Sequence, residues 1–216
     1  MGSTWWLISR MSVAGALKAG YTKPALFFAC LIPFVSLIWD AFNDGLGANP
    51  VETLTFATGD WTLRFLLITL AISPLRMWSG IAAWLRFRRM LGLYAFFYGC
   101  CHFLIWFIAD HSLDFAEMIE DVFDRPFITV GFSALALMIP LAITSNQAMI
   151  RRLGKRWRSL HQLVYLIVGL GALHYIWLVK ADYLEPNIYA IIAVFLLLQR
   201  LSSVKRLFSR ISPATR

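Results

Sequence analysis

The stretch "YGCCHFLIWF", residues 98–107, sets one titratable ring, His102, inside an otherwise apolar run. Whether that ring lies in a soluble core or in lipid decides the fold. Hydrophobic residues make up 59% of the 216 and charged residues 15%, with a mean hydropathy of +0.66. Soluble domains are nearer half apolar and a quarter charged. A helix needs roughly 20 mainly apolar residues to cross about 30 Å of hydrocarbon. Six segments meet that requirement, at about 24–42, 61–77, 90–109, 127–145, 160–179 and 187–204. Trp5, Trp6, Trp39, Trp61, Trp78, Trp84, Trp177 and Tyr183 fall near their ends, as interfacial aromatic belts do. The runs are continuous rather than alternating, which argues against a spanning β-barrel. A cleavable leader is not expected, because Arg10, Lys18 and Lys23 precede the first apolar run and no small-residue cleavage site follows it. The expectation is an all-α integral membrane protein, a six-transmembrane-helix bundle. It forms a single domain over 1–216, with a short arm at 1–23 and a tail at 205–216.

Charge orients the bundle. All but three of the 20 Lys and Arg (the exceptions are Arg64, Arg125 and Lys180) belong to the arm, the loops after spans two and four, the tail, or the span ends that adjoin them (Arg76 and Arg200). All 12 Asp and Glu fall on the other side. The positive-inside rule therefore puts both termini in the cytoplasm and the acidic loops outside. The densest basic run, "RRLGKRWR" at 151–158, is explained by topology and anionic lipid. Docking of an acidic electron donor or a phosphate-bearing cofactor is the sharper reading. Nucleic-acid binding is not indicated, since the basic residues follow the topology and form no separate domain.

Two outer segments exceed a tight turn. Residues 43–60 read as a polar loop. In residues 110–125, Phe115, Met118, Ile119 and Val122 recur at helical spacing, which predicts a short amphipathic helix at the outer interface. Pro33, Pro74 and Pro140 fall inside spans, where neighbours can satisfy the freed carbonyls. No internal repeat is evident.

Of the four histidines, His111 lies in the acidic outer segment and reads as solvated, while His102, His161 and His174 lie in spans three and five. Ionisable groups within a membrane are costly and point to function by default. His102 lies about 18 Å along span three and His174 about 21 Å along span five, both running outward. Two imidazoles at matched depth suit bis-histidine ligation of a metal porphyrin. Gly99 and Gly171 each precede a histidine by three residues and share its face, leaving room for a macrocycle edge or for close helix packing. With no intramembrane carboxylate cluster, zinc or di-iron coordination fits poorly. "CCH" at 100–102 is not C-x-x-C-H, so a haem would be non-covalent, b-type. Cys30, Cys100 and Cys101 read as small hydrophobes without a disulfide. His161 and His174 would be about 140° apart on an ideal helix, so His161 either binds with an unusual partner or lines an inner cofactor site beside Arg88, Arg151 and Arg152.

Six spans, a histidine in span three and two histidines thirteen apart in span five resemble the ferric-reductase-like transmembrane family. The segments "RRMLGLYAFFYGCCHFLIW", "RPFITVGFSALALMIPLAITSNQAMIRRLGKRWRSLHQLVYL" and "HYIWLVKAD" are similar to its haem-binding subunits of bacterial methionine sulfoxide reductase systems. The resemblance implies a multi-pass protein of the bacterial inner (cytoplasmic) membrane, with family haem ligands falling on His102, His161 and His174. It implies one haem b or two, and FMN. It also implies electron delivery to a periplasmic molybdenum-cofactor catalytic subunit, MsrP, which reduces methionine sulfoxide in proteins, a reversible lesion. A cytoplasmic flavin reductase or membrane quinol would be the donor. No flavin motif maps onto particular residues, and no C-terminal dehydrogenase domain is expected.

On this reading Arg88, Arg151, Arg152, Lys155 and Arg156 receive a reduced flavin or quinol, guanidinium groups holding its phosphate or headgroup. The chain then has no substrate site of its own. A stand-alone ferric or quinone reductase is a rival within the redox class. A non-redox scaffold or transporter is a rival outside it, but transporters usually show repeats and intramembrane carboxylates.

Overall fold

The computed structural model describes residues 11–211, with side chains to residue 200. Trp5, Trp6, Arg10 and the end of the tail (212–216) lie outside the described residues. The described chain is α-helical with short turns and contains no strand. In chain order the helices are α1 (Thr22–Phe42), α2 (Pro50–Ser79), α3 (Leu85–Ala109, after a 3₁₀ turn at Ala82–Trp84), α4 (Phe115–Asp124) and α5 (Pro126–Ile143), then α6 (Gln147–Leu153), α7 (Lys155–Leu160), α8 (Leu163–Leu178) and α9 (Leu184–Ile211). Four stretches of the described chain are long and apolar enough to cross a membrane: α1, α3 with its 3₁₀ turn, α5, and the α7–α8 segment. Helix α2 is longer, at 30 residues, but carries Glu52, Asp60, Arg64 and Arg76.

Two antiparallel pairs form the centre, α2 with α3 and α5 with α8, and α9 covers α8 and α2. The predicted polar loop at 43–60 is shorter than expected, because helix α2 begins at Pro50. Asn49 caps it by accepting from the Glu52 amide, and Pro50 occupies the first turn, where a missing N–H costs nothing. It ends at Gly80 in the left-handed conformation (φ 68°). The basic run 151–158 is likewise helical, spanning α6 and α7 around Gly154.

The outer segment does form the short helix, α4, capped by the Asp114 carboxylate on the Ala116 and Glu117 amides. Its apolar residues split between two faces. Met118 and Val122 are buried, while Phe115 and Ile119 are exposed and continue to Phe123, 78% exposed. His111 departs from expectation. It is 4% exposed, because α4 folds its Asp121 and Glu117 carboxylates over the ring, at 3.3 and 3.9 Å.

Helix α1 has a single buried residue, Cys30, and is tied to the centre by two tyrosines of α3. The Tyr94 hydroxyl donates to the Phe27 carbonyl at 2.7 Å. The fully buried Tyr98 hydroxyl accepts from the Phe34 amide (3.0 Å) and donates to the Cys30 carbonyl (2.9 Å). Phe34 and Cys30 are the two ends of one i to i−4 helical bond, so Tyr98 is inserted into the ladder of α1 beside Pro33, a recognised cause of a local opening. Both tyrosine rings stack on Phe65, at 5.6 and 5.3 Å. Tyr98→Phe should cost about 1 kcal/mol of stability, read as a lower thermal unfolding midpoint in detergent. An unchanged midpoint would contradict the insertion.

Candidate functional site

His102 on α3 and His174 on α8 face each other across one cavity, with ring centroids 6.1 Å apart and planes at 80°. The His102 Nδ1 lies 2.9 Å from the Thr55 carbonyl and the His174 Nδ1 lies 2.6 Å from the Phe127 carbonyl. A carbonyl can only accept, so each Nδ1 carries the hydrogen and each Nε2 keeps its lone pair. A histidine that ligates metal through one nitrogen commonly donates from the other to a backbone carbonyl, which fixes tautomer and ring orientation. Imidazoles bonded at about 2 Å on opposite sides of one metal have centroids roughly 6 Å apart. Spacing, tautomer and shared cavity all fit a metal porphyrin clasped between the two rings.

Glycines make this approach possible. A Cβ built on Gly131 would lie 2.7 Å from the His174 Nδ1, and one on Gly59 would lie 3.2 Å from the His102 ring. Each is one helical turn beyond the accepting carbonyl, on the same helix face. The glycines singled out from the sequence, Gly99 and Gly171, line the cavity too. Their added Cβ atoms would meet only ordinary packing, at 3.4 Å or more from Leu135 and 3.7 Å from Leu63. Sequence spacing along α3 and α8 missed Gly59 and Gly131 because they act across helices.

These placements expose a repeat that the sequence did not suggest. Thr55, Gly59, Gly99 and His102 of the α2–α3 pair are answered 72 residues later by Phe127, Gly131, Gly171 and His174 of the α5–α8 pair. The glycines and histidines match, whereas Thr55 and Phe127 correspond only through their backbone carbonyls, so the repeat is faint in the linear pattern. The two lateral edges differ. On one, the lining carries Asp60 of α2 and Tyr175 of α8. The equivalent pair on the other edge is Phe132 with Phe103, centroids 6.1 Å apart. Behind Asp60 stands Arg64, 3.2 Å from Asp60 and 3.3 Å from Glu185, with its Nε donating to the Tyr189 hydroxyl at 2.6 Å.

His161 stands apart from this pair, at the turn between α7 and α8. Its ring stacks on Trp157 at 4.0 Å. The Thr144 hydroxyl gives its hydrogen to the Pro140 carbonyl, so it accepts from the His161 Nε2 at 3.0 Å. His161 therefore has the opposite tautomer from His102 and His174. It lines a second cavity of about 1100 Å³, on the basic side, together with Arg88. Arg151 and Arg152 do not join them, being exposed on α6. Lys23, Arg86, Arg89, Arg158 and Arg200 line this cavity instead, no carboxylate does among the described residues, and Trp157 and Tyr165 supply aromatic walls. Arg86 donates to the Leu17 carbonyl and Arg200 to the Ser73 hydroxyl. Leu66, Met138 and Ile167 belong to the walls of both cavities.

Among protein families, the one described as the ferric reductase like transmembrane component matches residues 58–172, which include His102 and His161 and stop just short of His174. The chain is 55% identical over 181 residues to the protein-methionine-sulfoxide reductase heme-binding subunit MsrQ of Herminiimonas arsenicoxydans, covering 82% of this chain and 83% of that one. It is 52% identical over 184 residues to the protein of the same name from Bordetella pertussis, covering 84% and 89%. With that of Xanthomonas oryzae pv. oryzae it shares 48% over 181 residues, covering 81% and 83%. Gly131→Ala should force the His174 ring aside and lower the haem-to-protein ratio in a pyridine haemochrome assay several-fold, whereas Gly171→Ala should leave it near the parent value. Equal ratios in the two variants would contradict the cradle.

Proposed function

The chain belongs to the ferric-reductase-like transmembrane family, in its MsrQ branch, and from that premise we propose that it is the electron-carrying membrane subunit of a methionine sulfoxide reductase system. Six helices would cross the bacterial inner membrane, α2 and α9 joining the four apolar stretches. Both termini and the cationic cavity would face the cytoplasm. The observation that carries the reading is the His102–His174 pair, whose two free Nε2 atoms would hold one b-type haem between them. Held by two imidazoles, such a haem would supply one-electron transfer rather than oxygen binding.

The residues divide the work. Thr55 and Phe127 hold the imidazoles in the ligating tautomer, and Gly59 and Gly131 admit the rings. In the inner cavity Arg88, with its neighbouring guanidinium groups, suits the phosphate of FMN or the headgroup of a quinol, and Trp157 with Tyr165 suits an aromatic ring. His161 would line that inner site, or bind a second haem after its hydrogen bond to Thr144 is given up. Arg151 and Arg152, exposed on α6, would present charge to a cytoplasmic flavin reductase. Electrons would leave outward to a periplasmic molybdenum-cofactor subunit, MsrP.

His102→Ala or His174→Ala should abolish the absorbance of the reduced bis-histidine haem, and a full spectrum in either variant would overturn the assignment. Arg88→Ala should slow reduction of the haem by reduced FMN about tenfold or more while leaving its spectrum intact, as followed by stopped-flow absorbance. An unchanged rate would move the donor site elsewhere.

A further inference from the structure

The proposed outward transfer leaves open where electrons emerge, and the outer face offers one continuous route. Trp106 lines the cavity between His102 and His174. Its other side meets His111, with ring centroids 4.5 Å apart and planes at 75°. The His111 side chain is 5% exposed and neither of its ring nitrogens makes a hydrogen bond. It sits directly beneath the Asp121 and Glu117 carboxylates of α4. Asp121 is itself held by Arg125 at 2.7 Å. One ring thus separates the cavity wall from the underside of an exposed helix.

That helix has the composition of a contact surface. Half of the 12 carboxylates lie between residues 110 and 124: Asp110, Asp114, Glu117, Glu120, Asp121 and Asp124. All but Asp121 are exposed, and the segment closes with a single Arg. Between them runs the exposed stripe Phe115, Ile119 and Phe123, each one turn from the next. An apolar centre within a charged rim is the arrangement of a protein interface, and a field of one sign steers an oppositely charged partner to it.

Resting on the reading of the chain as an outward electron carrier, we infer that α4 is the docking surface for a periplasmic redox protein with a basic face, and that Trp106 and His111 are the exit through which electrons reach it. Each transfer moves one electron outward, returning the iron from ferrous to ferric and reducing the partner's oxidised centre by one. No bond is made or broken in this chain. Asp121 and Arg125 hold α4 over the exit, and Phe115, Ile119 and Phe123 supply the apolar contact.

The test uses the full-length haem-loaded protein in nanodiscs with purified MsrP as the probe. Wild-type protein should bind it with an affinity that falls as salt rises. Glu117→Lys/Glu120→Lys/Asp124→Lys should weaken binding at least tenfold, and Phe115→Ser/Ile119→Ser/Phe123→Ser by a similar factor, with the haem spectrum unchanged in both. Trp106→Leu should leave the dissociation constant within twofold. It should slow reoxidation of the reduced haem at saturating MsrP, and Trp106→Phe should restore most of the rate. Unchanged affinity in both triple variants would overturn the docking surface and return the apolar stripe to the lipid. An unchanged reoxidation rate in Trp106→Leu would overturn the exit. Wild-type protein that neither binds nor reduces MsrP would instead overturn the proposed function, and the docking surface with it.

Discussion

Two hydrogen bonds from imidazole Nδ1 to helix carbonyls govern the paired-histidine site. They set which nitrogen carries the hydrogen, aim the free lone pairs into one cavity, and demand that each ring lie against a neighbouring helix backbone. That last demand is met by glycine, since any side chain at position 131 would collide with His174. The start of α2 at Pro50 places the Thr55 carbonyl within a helix, opposite His102. Cap, glycine and imidazole thus form one chain of requirements from local sequence to the geometry of the histidine pair.

The second cavity follows a different logic. There the dominant quantity is uncompensated positive charge around a large aromatic-walled cavity, and the histidine present is locked by Thr144 and Trp157. The paired-histidine site is narrow and geometrically determined, whereas the cationic cavity is broad and electrostatically determined. Only Leu66, Met138 and Ile167 stand in the wall common to both. An apolar partition of this kind keeps water out while leaving the two sites close.

Much of this was legible in the sequence, for identifiable reasons. Long apolar runs and the segregation of charge reveal the membrane helices, and matched depths along α3 and α8 bring His102 and His174 together. The amphipathic α4 declares itself through the spacing of Met118 and Val122. What the sequence hid depends on contacts between helices. The roles of Gly59 and Gly131, the burial of His111 under α4, and the insertion of Tyr98 into α1 have no local signature. Arg151 and Arg152 stood in the densest basic run yet remain on the surface of α6, because charge density along a chain does not tell which side chains turn inward. The repeat has no clear linear signature, since its two copies match chiefly at two glycines and one histidine.

That partial agreement has a stereochemical consequence. A cavity with true two-fold symmetry would admit an unsymmetrical disc in two poses related by a half-turn, and the bound population would be a mixture. Here one rim is Asp60 with Tyr175, backed by Arg64, and the opposite rim is Phe103 with Phe132. The unlike rims give the cavity two distinguishable sides, although its glycines and histidines match across the centre.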